Sequence, residues 1–153
     1  FAAWMDLFTM RIANWISIVL TLAFLPIGFA CGLRPGLIGQ HYLCGLLVLA
    51  PTFALFAFGK IGGGDAKLAA SSAIWMGWGG LFDYLIVSSL LGGVLAVVIL
   101  SARQVPVPLF LLRWSWVVRL HEPKTGIPFG VALGAGAIIV YPYTPIWMGA
   151  VGG

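Results

Sequence analysis

Asp65 stands where a carboxylate could take part in chemistry. It follows three consecutive glycines, at positions 62 to 64, and precedes a long apolar run. Glycine lets the backbone adopt positive φ and approach a partner closely, so this turn would deliver the carboxylate at a crowded point. Ionisable groups near a bilayer are costly and are often functional. The alternative is structural, because Asp is a favoured N-cap and could satisfy the first amides of the next helix.

Asp6 opens a second polar stretch, which runs to position 15. Its structural interpretation is an ordinary loop, in which Arg11 marks the membrane boundary and Asn14 caps the following helix. The chemical interpretation pairs Asp6 with Asp65. In an aspartic protease one carboxylate, ionised, takes a proton from water while the other, protonated, polarises the scissile carbonyl. Two carboxylates at one membrane depth would therefore predict an aspartic endopeptidase.

The elements that must position these aspartates belong to a membrane protein. Hydrophobic residues make up 61% of the 153 residues and charged residues only 8%, against about 25% charged in a soluble domain. The mean hydropathy is +1.08. So few charges cannot cover a surface exposed to water, which excludes an ordinary soluble protein. The composition predicts an all-α fold, a polytopic transmembrane helix bundle forming a single domain over residues 1–153.

Five apolar runs are long enough to be candidate spans. The runs cover residues 14–33, 37–59, 68–82, 84–102 and 127–148. Arg34-Pro35-Gly36 is a turn signal that joins the first two as a helix pair, and the third and fourth are expected to form a hairpin that turns near Asp83. Residues 1–5 would be the end of a first helix, with Asp6 just past it. The segment 103–126 is charged and contains the stretch VPVP, so it is expected to lie at the membrane interface, with an amphipathic helix over LFLLRWSWVVRL.

The basic residues divide unequally between the two sides of this topology. Seven fall on one side, and positive charge marks the cytoplasmic side. These are Arg11, Lys60, Lys67, Arg103, Arg113, Arg119 and Lys124, against Arg34 alone. The same count places Asp6 and Asp65 on the cytoplasmic side and Asp83 on the other. Because topology explains the net charge of +4, nucleic acid is not expected as a partner.

Two motifs carry a resemblance to a known family. The first reads D-L-x-T-x-R-I-P-N in that family, with Ala13 here in place of the proline and Phe8 and Met10 where basic residues are common. Its matching residues are Asp6, Leu7, Thr9, Arg11, Ile12 and Asn14. The second is GxGD followed by x-K-L, and its matching residues are Gly62, Gly64, Asp65, Lys67 and Leu68. The stretch GIPFGVALGAG at 126–136 looks like the last helix of the family. The chain resembles the prepilin peptidases, or type IV leader peptidases, in particular their short CpaA/TadV-like branch.

The resemblance implies a GxGD-type membrane aspartic protease with Asp6 and Asp65 as the catalytic pair. It implies that the remaining motif residues bind substrate or shape the loops; these are Arg11, Asn14, Gly62, Gly64 and Lys67. The implied substrate is a type IV (Flp-like) prepilin, which is cleaved at the cytoplasmic face of the bacterial inner membrane. The implied partners are the lipid bilayer, in which the chain is embedded, and the pilus assembly machinery. No cofactor or metal is implied. The family places a full transmembrane helix before the first aspartate, so most of that helix is expected to be missing here.

Other residues receive structural interpretations. Neither Cys31 nor Cys44 belongs to a CxxC motif, the motif that the resemblance links to N-methylation, so peptidase activity without methyltransferase activity is expected. His41 and His121 fall on opposite predicted sides, which argues against a shared metal site. Small residues such as Gly130 are expected to allow close helix packing.

Two alternatives to a peptidase stay open. A small transporter or channel subunit shares the polytopic topology, although its charged groups would be expected near mid-membrane. A non-catalytic pilus or secretion assembly protein would keep the fold while the loop at 8–13 diverged. Cleavage of a prepilin by this chain would separate both from the first interpretation.

Overall fold

The computed structural model describes residues 1–107, 113–122 and 125–151. Within these ranges the secondary structure is helical and no β-strand occurs, which confirms the all-α fold class. The helices are α1 (Ala2–Thr9), α2 (Asn14–Ala30), α3 (Pro35–Ala57), α4 (Gly63–Ala102), α5 (Ser115–His121), α6 (Phe129–Val140) and α7 (Pro145–Val151), with a 3₁₀ turn at Tyr141–Tyr143.

The outer surface of the helices is strongly apolar. Two helices, α3 and α4, are long and apolar enough to cross a membrane, and α2 is a shorter apolar helix. Large hydrophobic side chains point outward; Leu22 is 66% exposed and Leu46 is 61% exposed. Contiguous apolar surface of this kind is rare on soluble monomers and normal against lipid. The surface therefore agrees with a membrane protein, while the number of five spans stays a prediction.

Helix α4 folds back on itself at Gly77. This residue has φ 57° and ψ −172°, a region of backbone conformation that is essentially restricted to glycine. Asp65 and Gly92 line the same cleft, although in a straight helix they would lie about 40 Å apart at 1.5 Å per residue. We therefore describe α4 as two antiparallel arms, the first arm at 63–76 and the second arm at 78–102.

The turn of this hairpin was expected near Asp83, and that prediction was wrong. Asp83 lies inside the second arm, six residues past the reversal, and is exposed. At Gly77 a Cβ atom would overlap the imidazole of His41, whose Nδ1 donates a hydrogen bond to the carbonyl of Ile74 at 2.7 Å. The chain reverses at Gly77, where the absence of a side chain leaves room for His41 in the turn. It does not reverse at Asp83, because a single charged residue does not break a helix.

The first predicted helix pair is present. Helix α2 ends at Ala30, three residues before the end of the predicted run, and α3 begins at Pro35. Proline suits the first helical position because its missing N–H would be unpaired there and its φ is already helical. The hydroxyl of Tyr42 in α3 donates to the carbonyl of Thr21 in α2 at 2.7 Å. A hydrogen bond thus holds the two helices side by side.

The last apolar run was predicted as one span over 127–148, and the structure divides it. Helix α6 ends at Val140, and α7 starts at Pro145. Pro142 and Pro145 each lack the N–H that a continuing helix requires. Between them the hydroxyl of Thr144 donates to the carbonyl of Tyr141 at 2.7 Å. The two prolines therefore replace a single helix by a helix, a 3₁₀ turn and a second short helix.

The predicted interfacial segment at 103–126 is only partly described, because residues 108–112 and 123–124 lie outside the described ranges, Lys124 among them. Its helix, α5, covers Ser115–His121 and is shorter than predicted, since Trp114 is extended. Arg103 at the end of α4 donates to the carbonyls of Leu120 at 2.7 Å and Thr125 at 2.8 Å. The segment is thereby tied to the end of the second arm.

The two ends of the bundle differ in charge. One end, which we call the charged end, carries Asp6 and Asp65; the other carries the reversal, and we call it the Gly77 end. Lys60 lines a cleft with Asp65, and Arg119 donates to the carbonyl of Phe8 at 3.3 Å. Arg34 instead precedes α3 at the Gly77 end, where His41 packs. The membrane side that each end faces stays a prediction.

Candidate active site

Asp6 is a buried carboxylate held by the start of another helix. It lies within α1, one turn before that helix ends, and not just past a helix as predicted. Its side chain is 5% exposed, and its Oδ2 accepts the backbone N–H of Gly130 at 2.8 Å. Gly130 is in the first turn of α6, where N–H groups have no partner within the helix and the helix dipole favours an anion. Burial raises the pKa of Asp6 above its usual value, and the Gly130 hydrogen bond opposes that rise.

Asp65 lies close to the same amide. It occupies the first turn of α4, whose N-cap residue is Gly62, so Asp65 is not the cap that the structural interpretation expected. Its carboxylate faces the backbone N–H groups of Gly62 and Gly130 and lies close enough to Asp6 for the two charges to repel each other. The structure therefore brings the two candidate catalytic aspartates together at the start of α6.

Three stretches of backbone meet at this point, and glycine permits two of the approaches. A Cβ at Gly64 would lie 3.0 Å from the Cβ of Ile12. A Cβ at Gly130 would lie 2.6 Å from the Cδ1 of Ile12 and 2.8 Å from the Oδ2 of Asp6. A side chain at residue 64 would therefore push Ile12 back by a few tenths of an ångström, and one at residue 130 would displace Ile12 Cδ1 and the carboxylate of Asp6. Glycine at both positions lets the carboxylates converge without these shifts.

A cleft opens beside Asp65, with a volume of about 660 Å³. Its walls come from the loop before α4, from the second arm of α4 and from the residues that lead into α6; Lys60, Asp65, Ala96 and Phe129 are among them. We call it the Asp65 cleft. Asp6 is buried and does not line it. One carboxylate of the pair thus faces open space, while the other is enclosed.

Paired carboxylates at helix ends, beside a cleft, can activate water against a carbonyl group. The described part of the chain contains no cluster of three or more metal-ligating side chains. A match to the type IV leader peptidase family covers residues 1–97, which is more than half of the chain. The chain belongs to the type IV leader peptidase family. Neither an individual curated protein nor a solved structure matches it.

Family membership supports a leader-peptidase kind of function. The matched residues include both aspartates and all of the first arm of α4. They end before the stretch at 126–136, so the resemblance of that stretch to the last helix of the family stays a prediction. Gly130, which holds Asp6, lies in this unmatched part.

The other motif residues of this leader-peptidase chain fall into two groups. Gly62 and Gly64 adjoin the carboxylate pair. Asn14 and Lys67 meet each other instead, because Lys67 Nζ donates to Asn14 Oδ1 at 3.0 Å. Asn14 does not cap α2 as the loop interpretation expected, since Ala13 is the N-cap residue. Arg11 is exposed in the loop that follows α1.

The residue that sequence reasoning missed is Gly130, which it interpreted as a helix-packing glycine. The sequence did contain a relevant signal, because Ile-Pro-Phe-Gly begins an apolar run and the first amides of a helix are available to bind an anion. Which anion they would bind depends on tertiary contacts with α1, and no pattern in the sequence specifies those contacts.

Proposed function

We propose that this chain is a membrane-embedded aspartic endopeptidase that removes the leader peptide from type IV (Flp-like) prepilins at the cytoplasmic face of the bacterial inner membrane. The observation that carries the proposal is the close approach of Asp65 to Asp6, whose carboxylate accepts the N–H of Gly130. Membership of the leader-peptidase family supplies the substrate class.

The reaction needs one ionised and one protonated carboxylate. The ionised carboxylate takes a proton from water as the water oxygen bonds to the scissile carbonyl carbon, and the protonated carboxyl gives its proton to the carbonyl oxygen. The C–N bond then breaks, and the departing nitrogen takes up the proton that the base had removed. One hydroxyl of the tetrahedral intermediate returns its proton to the carboxylate that had acted as the acid, which forms the carboxyl product and restores the single proton of the pair. Because like charges this close do not ionise independently, the pair is expected to titrate as a unit and to retain one proton. Two carboxylates and water are sufficient for these steps, and the proposal includes no cofactor.

The remaining motif residues have supporting roles in this proposal. Gly62 and Gly64 shape the turn that presents Asp65, and the Lys67–Asn14 hydrogen bond joins the start of α2 to the first arm of α4. Arg11 is exposed at the charged end and is available to bind substrate. The chain carries no CxxC motif, so the proposed activity is that of a peptidase without N-methyltransferase activity. The proposal includes pilus assembly machinery as a further partner and does not include nucleic acid.

The orientation of the bundle is testable by labelling. Basic residues concentrate at the charged end, and positive charge favours the cytoplasmic side. After Cys31→Ser and Cys44→Ala, a cysteine at Lys60 should react with an impermeant maleimide in inverted vesicles but not in intact cells with a permeabilised outer membrane. A cysteine at Arg34 should show the reverse pattern. Labelling of position 60 from the periplasmic side would contradict the proposed face.

Purified enzyme and two kinds of substrate test the proposed activity. The enzyme should cleave a prepilin that carries its leader and should leave unrelated transmembrane peptides uncut. The Asp83→Asn variant is a suitable positive control, because Asp83 is exposed and lies on the second arm, away from the carboxylate pair. Equal cleavage of prepilin and unrelated peptides would contradict the substrate assignment.

A further inference from the structure

The lining of the Asp65 cleft is unusual in its glycine content. The cleft volume of about 660 Å³ falls in the range of about 300–1,000 Å³ that is typical of ligand pockets. The glycines come from three separate segments of the chain. They are Gly59, Gly62, Gly92, Gly93 and Gly126.

These glycines differ in what a side chain would meet. At Gly92 a Cβ would overlap the ring of Phe129, so close packing explains the glycine there. Among the described residues, a Cβ at Gly93 or Gly126 would meet nothing within 4 Å, and neither residue has positive φ. Within a helix, as at Gly93, glycine costs about 0.5–1 kcal/mol relative to alanine. Neither packing nor backbone conformation therefore requires glycine at these two positions.

What Gly93 and Gly126 share is the cleft beside a proposed catalytic carboxylate. Both positions line the cleft that opens beside Asp65, so a large side chain at either one would narrow it. At Gly126, which lies outside the helices, glycine also leaves the backbone exposed, and extended peptides are commonly recognised through main-chain groups. An extended substrate chain is also what peptide hydrolysis requires, because the carbonyl of a helical residue is engaged in a hydrogen bond.

We propose that the Asp65 cleft binds the substrate chain on one side of the scissile bond, and that Gly93 and Gly126 keep the cleft open for it. This inference rests on the peptidase function proposed above. Residue 93 then sets the size of the substrate side chain that the enzyme accepts next to the cut.

A kinetic experiment tests the role of residue 93 with the full chain and a prepilin. Gly93→Leu should lower kcat/KM by about 10- to 100-fold, which is the usual discrimination caused by filling a pocket, and most of the change should be in KM. Substrate variants with smaller side chains beside the cut should lose less activity than those with larger ones. The matched control is Gly39→Leu, at a helical glycine of α3 that also has open surroundings but lies at the Gly77 end. Its kinetics should stay close to those of the wild type.

A cross-linking experiment tests the same site without relying on activity. The protein carries Asp65→Asn and Gly93→Cys, together with Cys31→Ser and Cys44→Ala, and is mixed with prepilins that have one cysteine at successive positions around the cut. Disulfides should form from positions on one side of the cut only. None should form when the enzyme cysteine replaces Gly39 instead.

The outcomes separate the two proposals. Wild-type cleavage together with unchanged kinetics for Gly93→Leu, or with no cross-link to the Gly93→Cys protein, would overturn the cleft inference and leave the peptidase function standing. Failure of the wild type to cleave any prepilin would overturn the peptidase function. Reaction of the cysteine at position 93 with a thiol-reactive phospholipid but with no prepilin would make the cleft a lipid site, which also overturns the inference.

Discussion

Asp65 and Asp83 belong to the same helix, and their surroundings show how differently the two ends of the bundle are built. At the charged end, glycines let the backbones of α1, α4 and α6 approach closely enough for Asp65 to meet Asp6 and the amide of Gly130. At the Gly77 end, glycine admits an aromatic ring, His41, and Asp83 stays exposed beyond it. The same two residue types thus build a polar site at one end and a plain turn at the other. Proximity to the start of α6 decides which aspartate can have a partner.

Apart from loss of a carboxylate itself, the largest effect that separates the two ends should come from a single methyl group. Gly130→Ala keeps the N–H that Asp6 accepts but places a Cβ against Ile12 and Asp6. Displacing a reacting group by about 1 Å can cost about 100-fold in rate, so we expect prepilin cleavage to fall by about that factor while the protein still inserts. Gly39→Ala, at the other end, should cleave normally. Cleavage at the wild-type rate by Gly130→Ala would show that the approach of α6 to Asp6 is not needed.

A smaller effect concerns stability and its dependence on pH. Because burial raises the pKa of Asp6, the folded protein binds a proton more tightly than the unfolded chain, and ionisation at higher pH destabilises the fold. Asp6→Asn removes the free-energy cost of ionising a buried carboxylate and keeps an oxygen that can accept the N–H of Gly130. Thermal unfolding in detergent should show the variant more stable than the wild type at neutral pH, with the difference disappearing below about pH 4, where both states of the wild type are protonated.

The comparison aspartate supplies the control for that measurement. Asp83→Asn changes an exposed carboxylate and should leave the unfolding temperature and its pH dependence unchanged. If Asp6→Asn were instead less stable than the wild type at neutral pH, the Gly130 hydrogen bond to the ionised carboxylate would outweigh the cost of burial.

The smallest expected effect lies in the loop of the charged end, where alanine replaces the proline of the family motif. Ala13 has φ −67° and ψ 131°, and the proline ring fixes φ close to this value. Among the described residues its N–H makes no backbone hydrogen bond. Ala13→Pro should therefore stabilise the protein by about 0.4–1 kcal/mol through the unfolded state. Chemical denaturation would measure this gain, and a loss of stability would show that the loop depends on a freedom that proline lacks.

The sequence was most informative where the physical cause is local or compositional. The charge-poor composition predicted an all-helical membrane protein, and Pro35 marked the start of α3. The position of the reversal at Gly77 was missed because the chain contains many glycines and the sequence does not distinguish this one. What distinguishes Gly77 is its contact with His41, which is a tertiary contact. The division of the last apolar run followed from Pro142 and Pro145, whose effect was underestimated.

The candidate site was predictable only in part for the same reason. The two motifs identified Asp6 and Asp65, and the charge count placed them at one end. The amide that both carboxylates face belongs to Gly130, far along the chain and outside the matched part of the sequence. A contact of this kind depends on three helices arriving together, which neither periodicity nor spacing encodes.

The most direct test of the central claim is cleavage of a prepilin by purified wild-type enzyme and by Asp6→Asn, Asp65→Asn and Asp83→Asn. Asparagine keeps the size and most of the hydrogen bonding of aspartate but cannot exchange a proton. We predict that either change at the carboxylate pair abolishes cleavage while the protein still inserts, and that Asp83→Asn cleaves as the wild type does. Substantial prepilin processing by Asp65→Asn would contradict the aspartic-protease mechanism and leave Asp65 as a structural residue in the first turn of α4.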